Sequence, residues 1–231
     1  MYRASWPPAL HSVWTSCRSR NAGFGTSSLS CRRNSCCTAA RRFLHLGHRQ
    51  SEHFDFFAPH PFDPAKLATS VPFMAAATIT QRAPNRLSGI VERGGPVRVS
   101  FFGVPEISQF ASPRITPDTG LRVASLLDLA GTKASLVQQH AEAKDYVDVD
   151  AILRTGRIDL PTALAVARYG TQFNPQITLK ALSYFEDGTV RDLLQAAKDR
   201  LAKAAREVDL DRLPILAARL AWGGNRNGPR P

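Results

Sequence analysis

The sequence predicts an α+β fold in which a small sheet comes first and helices follow. Three observations carry this. Short segments between residues 54 and 123 alternate apolar and polar residues, the period of half-buried strands. Beyond residue 124 the segments lengthen and are punctuated by helix-capping residues, prolines and glycines. At 231 residues and 43% hydrophobic, the chain can bury one sizeable core, or a core domain with a helical appendage.

Phe54–Phe57 is a short strand that ends at the proline-rich turn Ala58-Pro-His-Pro-Phe-Asp-Pro64. Proline suits the first helical turn, where its missing N–H has no partner to lose. Ala65–Thr69 is therefore a short helix. Ala77–Gln81, Arg86–Glu92 and Val97–Phe102 follow as strands. Arg93-Gly-Gly-Pro96 is a turn signal that makes the last two a hairpin. Gly120–Val123 is one more strand.

Ser125-Leu-Leu-Asp128 starts the first long helix in the manner of a capping box, with a carboxylate at the positive helix end. That helix runs to about Gln139. A second covers about Lys144–Arg154 and stops at Gly156. Asp159 and Pro161 open a third, closed by Gly170, and Asn174-Pro175 opens a fourth that runs through Tyr184. A long amphipathic helix over about Val190–Val208 completes the region. The tail Gly223–Pro231 is expected to be disordered.

The net charge of +11 is unevenly spread. Residues 1–50 hold eight arginines and no acidic residue, so the other 22 basic and 19 acidic residues leave only +3. A strongly basic globular surface is therefore not expected. Cys17, Cys31, Cys36 and Cys37 all lie in this same segment, without the spacing of a zinc set or a disulfide framework. No apolar run approaches the ~18 residues of a membrane span. The Ser/Arg-rich, acid-poor start fits an organelle-targeting segment or a disordered basic tail.

The most informative stretch is His45-Leu-Gly-His-Arg-Gln-Ser-Glu-His-Phe-Asp-Phe-Phe57. It resembles the Leu-Gly-His-Arg … Ser-x-Asp-Phe-Asp-Phe-Phe element of the AbiEii/AbiGii nucleotidyltransferase toxins of bacterial type IV toxin–antitoxin pairs. Leu121-Arg-Val-Ala-Ser-Leu-Leu-Asp-Leu-Ala-Gly-Thr-Lys133 is similar to that family's Asp-x4-Lys element, and Lys144-Asp-Tyr-Val-Asp148 to its Lys-Asp-x-x-Asp element. Gln172-Phe-Asn-Pro175 and Lys180-Ala-Leu-Ser-Tyr-Phe-Glu-Asp187 resemble later stretches. The resemblance covers about residues 43–216.

It implies a nucleotidyltransferase-like small mixed sheet with helices, followed by a C-terminal helical region. The expected organisation is an aberrant or disordered basic segment 1–42, a core 43–123, a helical region 124–222 and a disordered tail 223–231. The implied chemistry is transfer of a nucleotide from an NTP to an RNA acceptor such as tRNA, in the cytoplasm, with Mg²⁺ as cofactor and a cognate antitoxin protein as partner. Asp55 would bind the metal, Lys133 would neutralise triphosphate charge, and Asp148 would act near the base, ribose or catalytic network. Arg49, Ser51 and Lys144 would contact the nucleotide.

Two departures from the pattern limit that chemistry. Magnesium requires hard oxygen ligands, and two aspartates at i and i+2 of one strand supply them on a single face. Here position i is His53, a poor magnesium ligand, and the neighbouring-strand position that can add a third carboxylate is Ser100. The Gly-Gly-Thr-Ala turn, whose backbone N–H groups would approach a phosphate, is also missing. The codons of Ser35-Cys-Cys-Thr-Ala-Ala-Arg-Arg42, read two nucleotides later, permit Val-Leu-Tyr-Gly-Gly-Thr-Ala. A frameshift near Arg42 is therefore expected, and an enzyme impaired in turnover. The alternative is a non-catalytic remnant that binds NTP, RNA or a partner.

The bland readings stand beside these. Asp128 is a helix-start residue, Lys144 and Asp148 are spaced as an i,i+4 surface pair, and His45 and His48 are packing or surface histidines.

Overall fold

The computed structural model describes residues 38–40, 53–58, 60–92, 95–104, 108–115, 122–170, 173–218 and 220–221. The expectations for Arg49, Ser51, the four cysteines, the reading frame near Arg42 and the tail from residue 223 lie outside the described residues. In chain order the strands are β1 (Thr38–Ala40), β2 (His53–Ala58), β3 (Thr78–Ala83), β4 (Arg86–Glu92), β5 (Pro96–Gly103), β6 (Ser108–Gln109), β7 (Arg114–Ile115), β8 (Arg122–Val123) and β9 (Leu220–Ala221). The helices are α1 (Pro64–Ser70), α2 (Pro72–Ala75), α3 (Leu126–Val137), α4 (Ala143–Leu153), α5 (Leu160–Ala167), α6 (Pro175–Ala181) and α7 (Gln195–Arg206). The class is α+β, a small mixed sheet and then helices.

The chain divides into two compact units, Met1–Pro105 with Pro113–Ala124, and Glu106–Ser112 with Ser125–Pro231. The first holds a mixed sheet of order β3-β4-β5-β2-β1-β8-β7 among the described residues. β2 runs parallel to β5 and β1 parallel to β8, while the other neighbours are antiparallel. The sheet thus includes Thr38–Ala40, upstream of the residue at which the sequence begins the core.

Alternation decides which face of this sheet is core. Phe54, Phe56 and Ala58 of β2 are buried, as are Val99 and Phe101 of β5. All of these but Ala58 join Leu87, Val91, Phe73 and Met74 in one apolar cluster. The rings of Phe56 and Phe101 stack at 5.0 Å, a separation at which aromatic pairs add to simple burial. β3 turns into β4 at Asn85, which adopts φ 58°, a left-handed conformation tolerated best by Gly, Asn and Asp. Its side-chain oxygen accepts from the Phe62 N–H at 2.9 Å. Neither that turn nor α2 is among the elements the sequence predicts.

The helical starts of the second unit follow local chemistry. Ser125 Oγ accepts from Asp128 N at 3.0 Å, Asp159 Oδ1 from Thr162 N at 2.9 Å and Asn174 Oδ1 from Gln176 N at 2.9 Å. Gly156 ends the turn after α4 at φ +64°.

The continuous helix expected over Val190–Val208 is instead broken. A 3₁₀ turn spans Gly188–Asp192, Leu193 and Leu194 are extended, and α7 begins at Gln195. The cause is tertiary. Thr189 N donates to Ala141 O at 3.3 Å and Thr189 Oγ1 accepts from Ala143 N at 2.9 Å. Thr189 thereby caps α4, whose own N-cap Glu142 makes no side-chain capping bond, and the segment cannot join the following helix.

Candidate functional site

Two clusters contain Asp55, Lys133 and Asp148, and Lys144 lies in neither. In the first unit, Asp55 lies on β2 with its side chain on the face opposite Phe54 and Phe56. In register, Asp55 pairs with Ser100 on β5 and with Ala40 on β1, while His53 pairs with Arg98. Ser100 is buried, and it accepts a hydrogen bond from Ser88 Oγ of β4 at 3.0 Å. Further along the same face Phe57 stacks on Phe102 at 5.3 Å, and the Arg86 guanidinium covers the Phe102 ring at 5.1 Å.

The donors brought together here are one carboxylate, one imidazole and one hydroxyl already bonded to another. Among the described residues no group of three or more His, Cys, Asp or Glu side chains could hold a metal. A two-magnesium centre needs bridging carboxylates, and the described residues around Asp55 do not fit it. Ser88 carries no sequence signal for a role at this position, because it reaches Ser100 only through hairpin register.

In the second unit, α3 and α4 bring an ammonium to two carboxylates. Lys133 Nζ lies 2.9 Å from Asp145 Oδ1 and 4.0 Å from Asp148 Oδ2. Asp145 and Asp148 stand one turn apart on α4, at i and i+3, which puts both on one helix face. The lysine side chain is 6% exposed, Asp145 3% and Asp148 1%. A charge in such a place survives only when it is paired. The i,i+4 surface pairing of Lys144 with Asp148 is not formed: Asp148 is buried facing Lys133, and the exposed Lys144 pairs with Glu142.

The neighbours fix this cluster rather than join it. Asp128 receives the Ser125 hydroxyl at 2.6 Å and the Phe110 N–H at 2.7 Å, so it both starts α3 and ties the 108–112 segment to it. Thr178 Oγ1 donates to Ala134 O at 3.0 Å and holds α6 to α3. Asp150, two residues past Asp148, takes both arms of Arg200 on α7 at 2.7 and 2.8 Å. That bidentate bond raises the Arg200 guanidinium above its ordinary value. Asp145 itself is missed by the sequence reading. Its place inside Lys-Asp-x-x-Asp, three residues from Asp148, was the available signal.

Tyr146 follows Asp145 and points its ring at Phe185, 6.2 Å between centroids. Burial, then the Asp187 and Asp145 carboxylates, push its phenol up to about 12 from 10.0. The neutral phenol is thus favoured by folding. The stability it contributes is whole below about pH 10 and is lost as pH rises towards about 12. Denaturant melts of wild type and Tyr146→Phe across that range should show a steeper alkaline loss in wild type. Parallel curves would remove Tyr146 as the cause.

The family model of the nucleotidyl transferase AbiEii toxin, type IV toxin–antitoxin system, matches residues 38–219. An uncharacterized protein of Aquifex aeolicus (strain VF5) is 26% identical over 148 residues, covering 62% of this chain and 69% of that protein. No helix among the described residues is long and apolar enough to cross a membrane.

Proposed function

Since the chain belongs to the AbiEii nucleotidyl transferase toxin family of type IV toxin–antitoxin systems, we propose that it binds an NTP but transfers the nucleotide poorly to its RNA acceptor, a tRNA. Membership implies an NTP substrate and an antitoxin partner. The acceptor and the impairment are the further step. The impairment is carried by one observation: the strand position two before Asp55 is His53, and the register partner of Asp55 is a serine bonded to Ser88.

In this reading Asp55 is the metal-binding carboxylate that remains. Mg²⁺ would supply charge neutralisation for the triphosphate, and one carboxylate is too few to hold the pair of ions that transfer requires. Lys133 answers triphosphate charge, and Asp148 acts beside the nucleotide. Arg49, Ser51 and Lys144 add nucleotide contacts.

Purified protein with Mg²⁺, labelled NTPs and total tRNA tests the reading. Only trace label should reach RNA. Robust transfer that disappears in Asp55→Ala would overturn the impairment. His53→Asp should do the opposite, because it restores two carboxylates at i and i+2 on β2. An added charge within about 4 Å of a divalent ion is enough for roughly tenfold tighter Mg²⁺ binding or more. Unchanged Mg²⁺ affinity in that variant would show that position 53 is not where the metal site fails.

A further inference from the structure

We propose that the Asp55 face of the sheet holds the single-stranded end of an RNA, on a strip of Arg86, Phe102, Phe57 and Arg98. The inference rests on the nucleotidyl-transfer reading given above and names where its acceptor lies. Its basis is strand register. Phe57 on β2 pairs with Phe102 on β5, and Phe102 pairs with Arg86 on β4. Paired residues of neighbouring strands share a face, and every second residue returns to it. This row therefore lies on the face of Asp55, roughly 7 Å from it along β2.

The row is a stack. The Phe57 and Phe102 rings lie 5.3 Å apart at 22°, and the Arg86 guanidinium covers Phe102 at 5.1 Å. Both rings are half-buried and the arginine is exposed. A flat cation laid on a ring pair offers a base a plane to stack on and a phosphate its N–H donors. Arg98, also exposed, stands in the row on the other side of Asp55, in register with His53 and Ile90. Ile90 is four residues from Arg86, so the two arginines stand about 14 Å apart along the strands and bracket the Asp55 row. Neither is ion-paired to an acid among the described residues. The described acids on this face are Asp55 and Glu92, and Glu92 stands roughly 20 Å from Arg86 at the far end of β4. Two spaced cations beside stacked rings match the alternation of phosphates and bases in a strand. A triphosphate is more compact than that spacing, and an acidic peptide brings charge without flat bases. Transfer must bring a strand's hydroxyl to the metal-binding carboxylate, and the strip runs past it.

The test is binding of a fluorescein-labelled single-stranded RNA to the full-length chain, followed by anisotropy over a range of salt. NTP affinity with Mg²⁺ and a thermal melt are measured for each variant. Arg86→Gln and Arg98→Gln should each weaken RNA binding roughly tenfold and lower the salt slope by about 0.7, the share of one phosphate contact. NTP affinity should not change. Arg86→Lys keeps the charge and loses the plane, so affinity should fall with the slope kept. Arg157→Gln, at an exposed arginine of the second unit, should leave RNA binding as it is. An equal loss there means that the attraction is nonspecific, and the strip is not the site. Wild-type RNA affinity in both glutamine variants overturns the strip and leaves the transfer reading, which label transfer to tRNA tests separately. Loss of NTP affinity in place of RNA affinity assigns the arginines to the triphosphate and overturns the proposal. So does tighter wild-type binding of polyglutamate than of RNA, lost in the same variants, which assigns them to an acidic protein. Absence of RNA binding by the wild-type chain overturns the strip and the RNA acceptor together.

Discussion

Lys133→Met is expected to lower the unfolding free energy by about 3–5 kcal/mol, the usual cost of removing one partner from a buried ion pair. Methionine matches the lysine stem in length and apolar character, so packing changes little. What changes is charge. Asp145 and Asp148, 3% and 1% exposed, are left on one helix face with no ammonium between them. Each buried carboxylate then keeps less compensation for the hydration it gave up on folding. Urea denaturation followed by far-ultraviolet circular dichroism measures the loss. The triple variant Lys133→Met, Asp145→Asn, Asp148→Asn should recover a good part of it, because a neutral set has no uncompensated charge. A loss under about 1 kcal/mol in the single variant, the range of exposed pairs, would mean that the lysine does not neutralise this cluster.

Gly131→Ala should destabilise the protein by about 1–3 kcal/mol, the cost of overpacking a filled core, although local propensity argues for the opposite sign. In an isolated helix alanine is favoured over glycine by about 1 kcal/mol. Gly131 lies in α3 against α5, and a Cβ there would stand 2.2 Å from Val166 Cγ1 and 2.7 Å from Val166 Cβ. Val166 cannot turn away, since its Cβ is fixed by the backbone and its χ1 is stiff in a helix. Ala167 N would stand at 3.2 Å, so the two helices must separate. A double-mutant cycle with Val166→Ala should return a coupling energy well outside additivity. A Gly131→Ala protein that melts higher than wild type would show that the helices part at no cost.

These two substitutions separate what is local from what is not. The β4 strand was legible with its bounds, Arg86–Glu92, because alternation repeats every two residues and needs no partner to be seen. The caps Ser125, Asp159 and Asn174 were legible because each bonds a backbone N–H two or three residues away. The site was legible only in part. Family resemblance pointed to Asp55, Lys133 and Asp148, and the structure places the last two 4.0 Å apart. It places Lys144 elsewhere, against Glu142. Asp145 escaped because its partner lies 12 residues away on another helix.

By itself, the sequence determined the α+β class, most strand and helix starts, and the single aspartate left at Asp55 beside His53. Those follow from residue identity and from interactions spanning a few residues. Only the tertiary structure decided that Ser100 bonds Ser88, that Lys133 bonds Asp145, that Gly131 must stay small, and that Thr189 breaks the last helical segment to cap α4. Each of those depends on distance between residues far apart in the chain. Such distances are set by sheet register and helix packing, which no local pattern encodes.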